Sequence, residues 1–208
     1  MTKPKSRFIV FEGLDGAGTT TQAALLHDYL TRSGLDSFQT FEPTDGPVGS
    51  LIRELLAHRQ ATESVPETTM ALLFAADRIW HSRHIARELE APRHVVCDRY
   101  IFSSMAYQSL DPAVPGERVI EINRGCAQPD LTLFIDVPVE TCLERISARN
   151  ESRTIYEKSD LLDTISRNYA QLLPLYKKHF GATVHIDGTA PIDDVHERVV
   201  KAITSLLQ

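Results

Sequence analysis

No stretch of this chain approaches the ~18–20 consecutive apolar residues of a membrane span, and no membrane partner is expected. The opening MTKPKSRFIVF has too short an apolar run for a secretory signal. Cysteine is scarce. Cys97, Cys126 and Cys142 are odd in number and far apart, which excludes a disulfide framework or a metal knuckle and points to a reducing, cytoplasmic setting. Basic charge is also in deficit, with 22 Lys and Arg against 28 Asp and Glu and a net charge of −6. A global basic footprint for a nucleic-acid backbone is therefore absent, and no nucleic-acid partner is expected. Any anionic ligand must be held by locally placed donors. Internal repeats and low-complexity tracts are absent too. What remains is 208 residues with 42% hydrophobic content, enough for one domain, residues 1–208, with one substantial core.

Along the chain a pattern of strand, turn and helix repeats. Short apolar runs at Phe8–Phe11, Ser37–Phe41, Val95–Cys97, Leu131–Val137 and Thr183–Ile186 read as five strands. Helical periodicity covers Thr20–Arg32, Val48–His58, Pro66–Glu90, Ser103–Leu110, Glu117–Cys126, Val139–Arg149, Ser159–Phe180 and Ile192–Leu207. This alternation predicts an α/β fold of the P-loop NTPase type: a five-stranded parallel sheet flanked by helices on both faces. Ligands of such sheets bind at the carboxyl ends of the strands. The glycine-rich and charged segments 12–20, 42–49 and 98–104 fall at those ends. The polar run from Asn150 to Ser159 reads as a lid, at about 149–159.

The first strand leads into Gly13-Leu-Asp-Gly-Ala-Gly-Thr-Thr20. This matches the phosphate-binding pattern G-x-x-x-x-G-K-[ST] except that Thr19 replaces the lysine. Glycines allow the backbone to curl so that successive N–H groups and the helix N-terminus converge on an anion. The expected phosphate cradle is Gly13, Asp15, Gly16, Ala17, Gly18, Thr19, Thr20 and Thr21. Thr20 stands where the pattern places a hydroxyl on Mg²⁺. A charged hydrogen bond is worth roughly 1.5–3 kcal/mol, so the loss of the lysine must be met elsewhere or felt as weaker chemistry.

Several motifs then coincide in order: FEGLDGAG at 11–18, Glu42-Pro43, LLFAADR at 72–78, DRYIFSSMAYQ at 98–108 and PDLTLFIDVP at 129–138. Together they resemble the thymidylate kinase family over almost the whole chain. The resemblance implies ATP-dependent phosphorylation of dTMP, Mg²⁺, a homodimer and a closing lid. It implies that Asp15 accepts from the sugar 3′-hydroxyl, Phe74 stacks on thymine and Arg78 hydrogen-bonds the base. Arg99 would clamp the acceptor phosphate with help from Arg53. Ser104 and Gln108 would read the polar edge of the base, and Tyr107 would crowd the sugar 2′ position. Asp98 would organise the metal with Thr20, while Glu42 would join the metal shell or hold Arg99.

Three cationic positions of the family pattern are altered: Thr19, Phe41 before Glu42-Pro43, and Ile155 in the lid. Gly16 follows the P-loop acid, the version of the pattern in which the lid carries the arginines, here Arg149 and Arg153. An active kinase with Arg149 or Arg153 in place of the lysine is the first reading. A thymidylate-binding relative with weak or no chemistry is the second. A deoxynucleoside kinase with Glu42 as base is a third. A regulatory GTPase is disfavoured, since no N-K-x-D motif is present. His81 and His84 lack a third ligand at suitable spacing and read as a solvated or interface face of their helix.

Overall fold

The computed structural model describes residues 6–57, 65–148 and 155–207, with the backbone alone for 155–158. The expected sheet is present. β1 (Phe8–Gly13), β2 (Ser37–Phe41), β3 (His94–Asp98), β4 (Leu131–Asp136) and β5 (Thr183–Asp187) are all parallel, in the order β2-β3-β1-β4-β5. β1 and β3 are buried at every position, as continuous apolar strands covered on both faces must be. Phe11 of β1 and Phe41 of β2 both pair with Asp98 of β3, so β2 and β3 end level while β1 runs on to Gly13.

The helices are α1 (Thr19–Arg32), α2 (Pro47–Ala57), α3 (Glu67–Glu90), α4 (Ile101–Gln108), α5 (Gly116–Ile122), α6 (Val139–Ser147), α7 (Ile155–Phe180) and α8 (Ile192–Leu207). α1 packs against α8, and α4 against α7. Aromatic rings fill the space beneath α7: Phe102 stacks on Tyr176 at 4.3 Å and meets Tyr169 edge-on at 4.8 Å.

Three of the boundaries that differ from the sequence reading have a clear physical reason. α4 begins at Ile101 rather than Ser103, because the buried Ile101 and Phe102 enter the core as soon as the chain leaves Arg99. α5 ends at Ile122 rather than Cys126: Asn123 Nδ2 binds the Val119 carbonyl, and Gly125 then turns the chain at φ +93°. α7 begins at Ile155, so the end of the expected lid is the first turn of a helix. Its Glu and Lys are good helix formers whose polarity mimics a loop. The rest of that lid, with Arg149 and Arg153, lies outside the described residues.

Candidate active site

The phosphate loop is built by two left-handed residues. Gly16 has φ +86° and Gly18 has φ +97°, a region that side chains rarely tolerate. Gly18 also serves as the N-cap of α1, where no side chain caps the helix and no acidic residue stands in the first turn. The first N–H groups of α1 are thus left for a ligand, and the helix dipole favours an anion there.

Beside this cradle Thr20 Oγ1 donates to Asp98 Oδ2 at 2.5 Å. The other oxygen, Asp98 Oδ1, is buried without a hydrogen-bond partner. A hydroxyl and a carboxylate with an unused lone pair are hard oxygen donors of the kind Mg²⁺ takes. Glu42 does not share in this. Its Oε2 accepts from Arg78 Nε at 2.7 Å and its Oε1 meets His81 Nδ1 at 2.9 Å. The sequence reading placed Glu42 on the metal or on Arg99; both of its oxygens are instead committed to α3. Among the described residues no group of three or more His, Cys, Asp or Glu side chains is placed to hold a metal.

Arg99 stands at the end of β3 with φ +67°, an uncommon conformation for a residue with a side chain. The strain is held by its backbone N–H on Phe11 O at 2.8 Å and by its guanidinium. Nη1 donates to Gly13 O and Ser103 Oγ, Nη2 donates to Asp15 Oδ1 at 2.5 Å, and the group lies 5.5 Å from the Tyr107 ring centre. Behind it is Glu12, fully buried at the end of β1. Glu12 accepts from Tyr100 N at 3.0 Å and from Ser103 Oγ at 2.5 Å. Burial pushes the Glu12 carboxyl above its ordinary pKa, and the Ser103 hydrogen bond and Arg99 pull it part of the way back.

Arg78 is 1% exposed and spends four donors. They go to Glu42, Asn123 Oδ1 at 2.7 Å, Tyr100 O at 3.2 Å and Ser104 Oγ at 3.0 Å. A guanidinium has five N–H groups, so one on Nη1 is left. Burial is the largest influence and acts to lower the Arg78 pKa, but Glu42, Tyr100 and Cys126 together more than offset it, so the net shift is upward and the group stays charged.

These side chains line three cavities in a row. The first, about 400 Å³, includes Gly16, Gly18, Thr21, Arg145, Gly188 and Ile192. The second, about 310 Å³, lies over the phosphate loop from Asp15 to Thr21, with Arg99. The third, about 370 Å³, includes Phe74, Arg78, Ser104, Tyr107 and Gln108. Gly16, Gly18 and Thr21 are common to the first two, and Asp15 and Arg99 to the last two. Phe74 lines the third cavity and lies outside the core cluster. Gln108 Oε1 and Tyr107 Oη are buried without hydrogen-bond partners in the third cavity's lining.

Among the described residues, which leave out Arg149 and Arg153, nearly every expected site residue is therefore brought together. Arg53 is the exception. Its guanidinium turns to Pro43 O at 2.8 Å, Thr44 O at 2.7 Å and Asp45, and it does not line the third cavity.

The same order of motifs is matched by a family model described as thymidylate kinase, over residues 11–199. The chain belongs to the thymidylate kinase family. It is 41% identical over 194 residues to a "Probable thymidylate kinase" of Methanocaldococcus jannaschii, covering 93% of each chain. It is 35% identical over 200 residues to a "Probable thymidylate kinase" of Methanococcus aeolicus, covering 95% of this chain and 96% of that one. Membership, with the P-loop and the fold, marks a nucleotide-binding kinase. No helix among the described residues is long and apolar enough to cross a membrane.

Sequence reasoning passed over several residues that support these cavities. Glu12 was legible as a lone charge in an apolar strand. Ser103 and Asn123 carried no local signal, since their roles depend on partners 91 and 45 positions away. Arg145 binds Ala17 O and Gly188 O between the phosphate loop and the β5–α8 turn; one arginine on an amphipathic helix looks like any surface charge. His81 is buried rather than solvated, because Thr40 and Glu42 satisfy both its ring nitrogens.

Proposed function

We propose that this chain transfers the γ-phosphate of ATP to the phosphate of dTMP, forming dTDP. The observation that carries the reading is the row of three cavities, with Asp15 and Arg99 common to the last two. A triphosphate donor fits the first and second cavities, with its phosphates on the α1 N-terminus. A mononucleotide fits the third, with its phosphate directed at Arg99. The two nucleotides then meet head to head, the arrangement that phosphoryl transfer needs.

The base pocket favours a keto pyrimidine. Arg78 has one free N–H, the Ser104 hydroxyl accepts from Arg78 and keeps its own proton to donate, and Gln108 Oε1 lacks a donor. Donors for a carbonyl oxygen and an acceptor for a ring N–H suit thymine, whereas cytosine presents an amino group and a bare ring nitrogen. Phe74 supplies the stacking face. Asp15 would take the 3′-hydroxyl, and Tyr107 would close the space that a 2′-hydroxyl needs.

Thr20 and Asp98 would hold Mg²⁺. When bound, the ion neutralises phosphate charge. Arg99 neutralises and orients the acceptor, whose oxygen is ionised near neutral pH and requires no strong base. The charge missing at Thr19 falls to Arg149 or Arg153 of the lid. Helix α3 exposes Leu72, Ile79 and Trp80, each about half accessible. This apolar face supports a homodimer.

A second reading, binding without efficient transfer, is favoured by Thr19 alone. A deoxynucleoside kinase with Glu42 as base fits less well, because both oxygens of Glu42 are engaged. The test is ADP formation from ATP, Mg²⁺ and dTMP. Turnover within the ~1–100 s⁻¹ range of kinases supports transfer. A silent protein that binds dTMP and is activated by Thr19→Lys supports the second reading. Stabilisation against heat by thymidine and not dTMP supports the third.

A further inference from the structure

Behind the base pocket runs a buried polar chain, Thr40–His81–Glu42–Arg78. Thr40 Oγ1 lies 2.7 Å from His81 Nε2, and His81 Nδ1 lies 2.9 Å from Glu42 Oε1. Arg78 Nε donates to Glu42 Oε2 at 2.7 Å. His81, Glu42 and Arg78 are each less than one-tenth exposed. Carboxylate oxygens only accept from this pair, so Nδ1 of His81 carries a proton toward Glu42, and Nε2 shares a hydrogen bond with the Thr40 hydroxyl.

We infer that His81 is a positioning residue for base recognition, acting through Glu42 on Arg78. The argument is one of occupancy. Glu42 meets Arg78 through a single oxygen because His81 holds the other. Without that donor, the buried Oε1 has no hydrogen bond, which is costly. The carboxylate would then rotate to take two guanidinium donors, the geometry that Arg and a carboxylate prefer. That rotation draws the guanidinium away from Asn123 Oδ1 and Ser104 Oγ, and with it the one N–H left for the base. Asn123 cannot follow, since its Nδ2 is fixed on Val119 O at 2.7 Å.

This inference rests on the proposed dTMP site, and binding can test the two separately. Calorimetric titration of dTMP and of ATP uses wild type, His81→Gln and His81→Asn. The Asn amide overlays Nδ1 and keeps a donor for Glu42; the Gln amide overlays Nε2 and reaches only Thr40. His81→Gln is expected to weaken dTMP binding about tenfold or more, the scale of one charged hydrogen bond, and to leave ATP binding within about twofold. His81→Asn should stay within about threefold of wild type for both, less than one such bond. Equal dTMP binding by the two variants, or a matching loss of dTMP and ATP binding in His81→Gln, overturns the positioning role. If wild type binds ATP and not dTMP, the functional reading fails, and the inference falls with it.

Discussion

Arg99 donates to the carboxylate of Asp15 at 2.5 Å, and the pair forms the boundary between the cavity over the phosphate loop and the cavity beside Phe74. The cation closest to the proposed transfer is thus already paired before any phosphate arrives. An incoming acceptor must draw Arg99 from Asp15 or share it. Arg99→Lys keeps the charge and loses the fork. We expect its kcat with dTMP to fall about 10²-fold or more, the scale on which one oriented transition-state donor acts, while the KM for ATP changes little. Steady-state ADP release at varied dTMP and varied ATP measures both.

In the proposed dTMP site Phe74 serves binding rather than chemistry. Phe74→Ala should raise the KM for dTMP about tenfold, the value of an aromatic stack at roughly 1–3 kcal/mol per base, and leave kcat nearly unchanged. Because Phe74 lies outside the core cluster, the melting temperature should move little. A large thermal loss with an unaltered KM would return Phe74 to the core.

Glu12 gives a pH signature in stability. Its folded pKa is raised above the ordinary 4.5, first of all by burial. The native state then holds the proton more tightly than the unfolded chain. The stability this confers is complete below pH 4.5 and is lost as pH rises through the folded value. Glu12→Gln has no such loss. The variant should therefore gain on wild type in urea midpoint as pH is raised from about 4.5 toward neutrality. A difference that is constant with pH would show that Glu12 titrates alike in both states.

The apolar row on α3 tests the dimer. Trp80→Glu places a charge on a face where Leu72, Ile79 and Trp80 are about half exposed. Light scattering on a sizing column should show the mass of one chain for the variant and of two for wild type. A wild type that is itself monomeric removes the homodimer from the proposal.

The fold was legible because its signals are local. The five strands are short apolar runs, and the phosphate loop is a pattern of glycines at fixed spacing. The third cavity was legible because Phe74 and Arg78 share one helix face, and Ser104, Tyr107 and Gln108 share another segment. What escaped depended on distant partners. Glu42 looked like a metal or Arg99 ligand, and only the tertiary fold shows it between His81 and Arg78. His81 itself looked solvated because its partners Thr40 and Glu42 are 41 and 39 positions away. Arg53 carried the right charge, but its guanidinium is taken up by the carbonyls of Pro43 and Thr44 and by Asp45.

The strand order β2-β3-β1-β4-β5 separates two kinds of change. Glu12, the phosphate loop, Asp98 and Arg99 all hang from the central strand, β1, and its neighbour β3. Glu42 follows one edge strand, and the turn at Gly188 follows the other. If the proposed placement of the two nucleotides holds, selectivity for the acceptor base and for the donor nucleoside can drift independently at opposite margins of the sheet while the centre stays fixed. A library confined to either margin should yield altered nucleotide preference without rebuilding the transfer site.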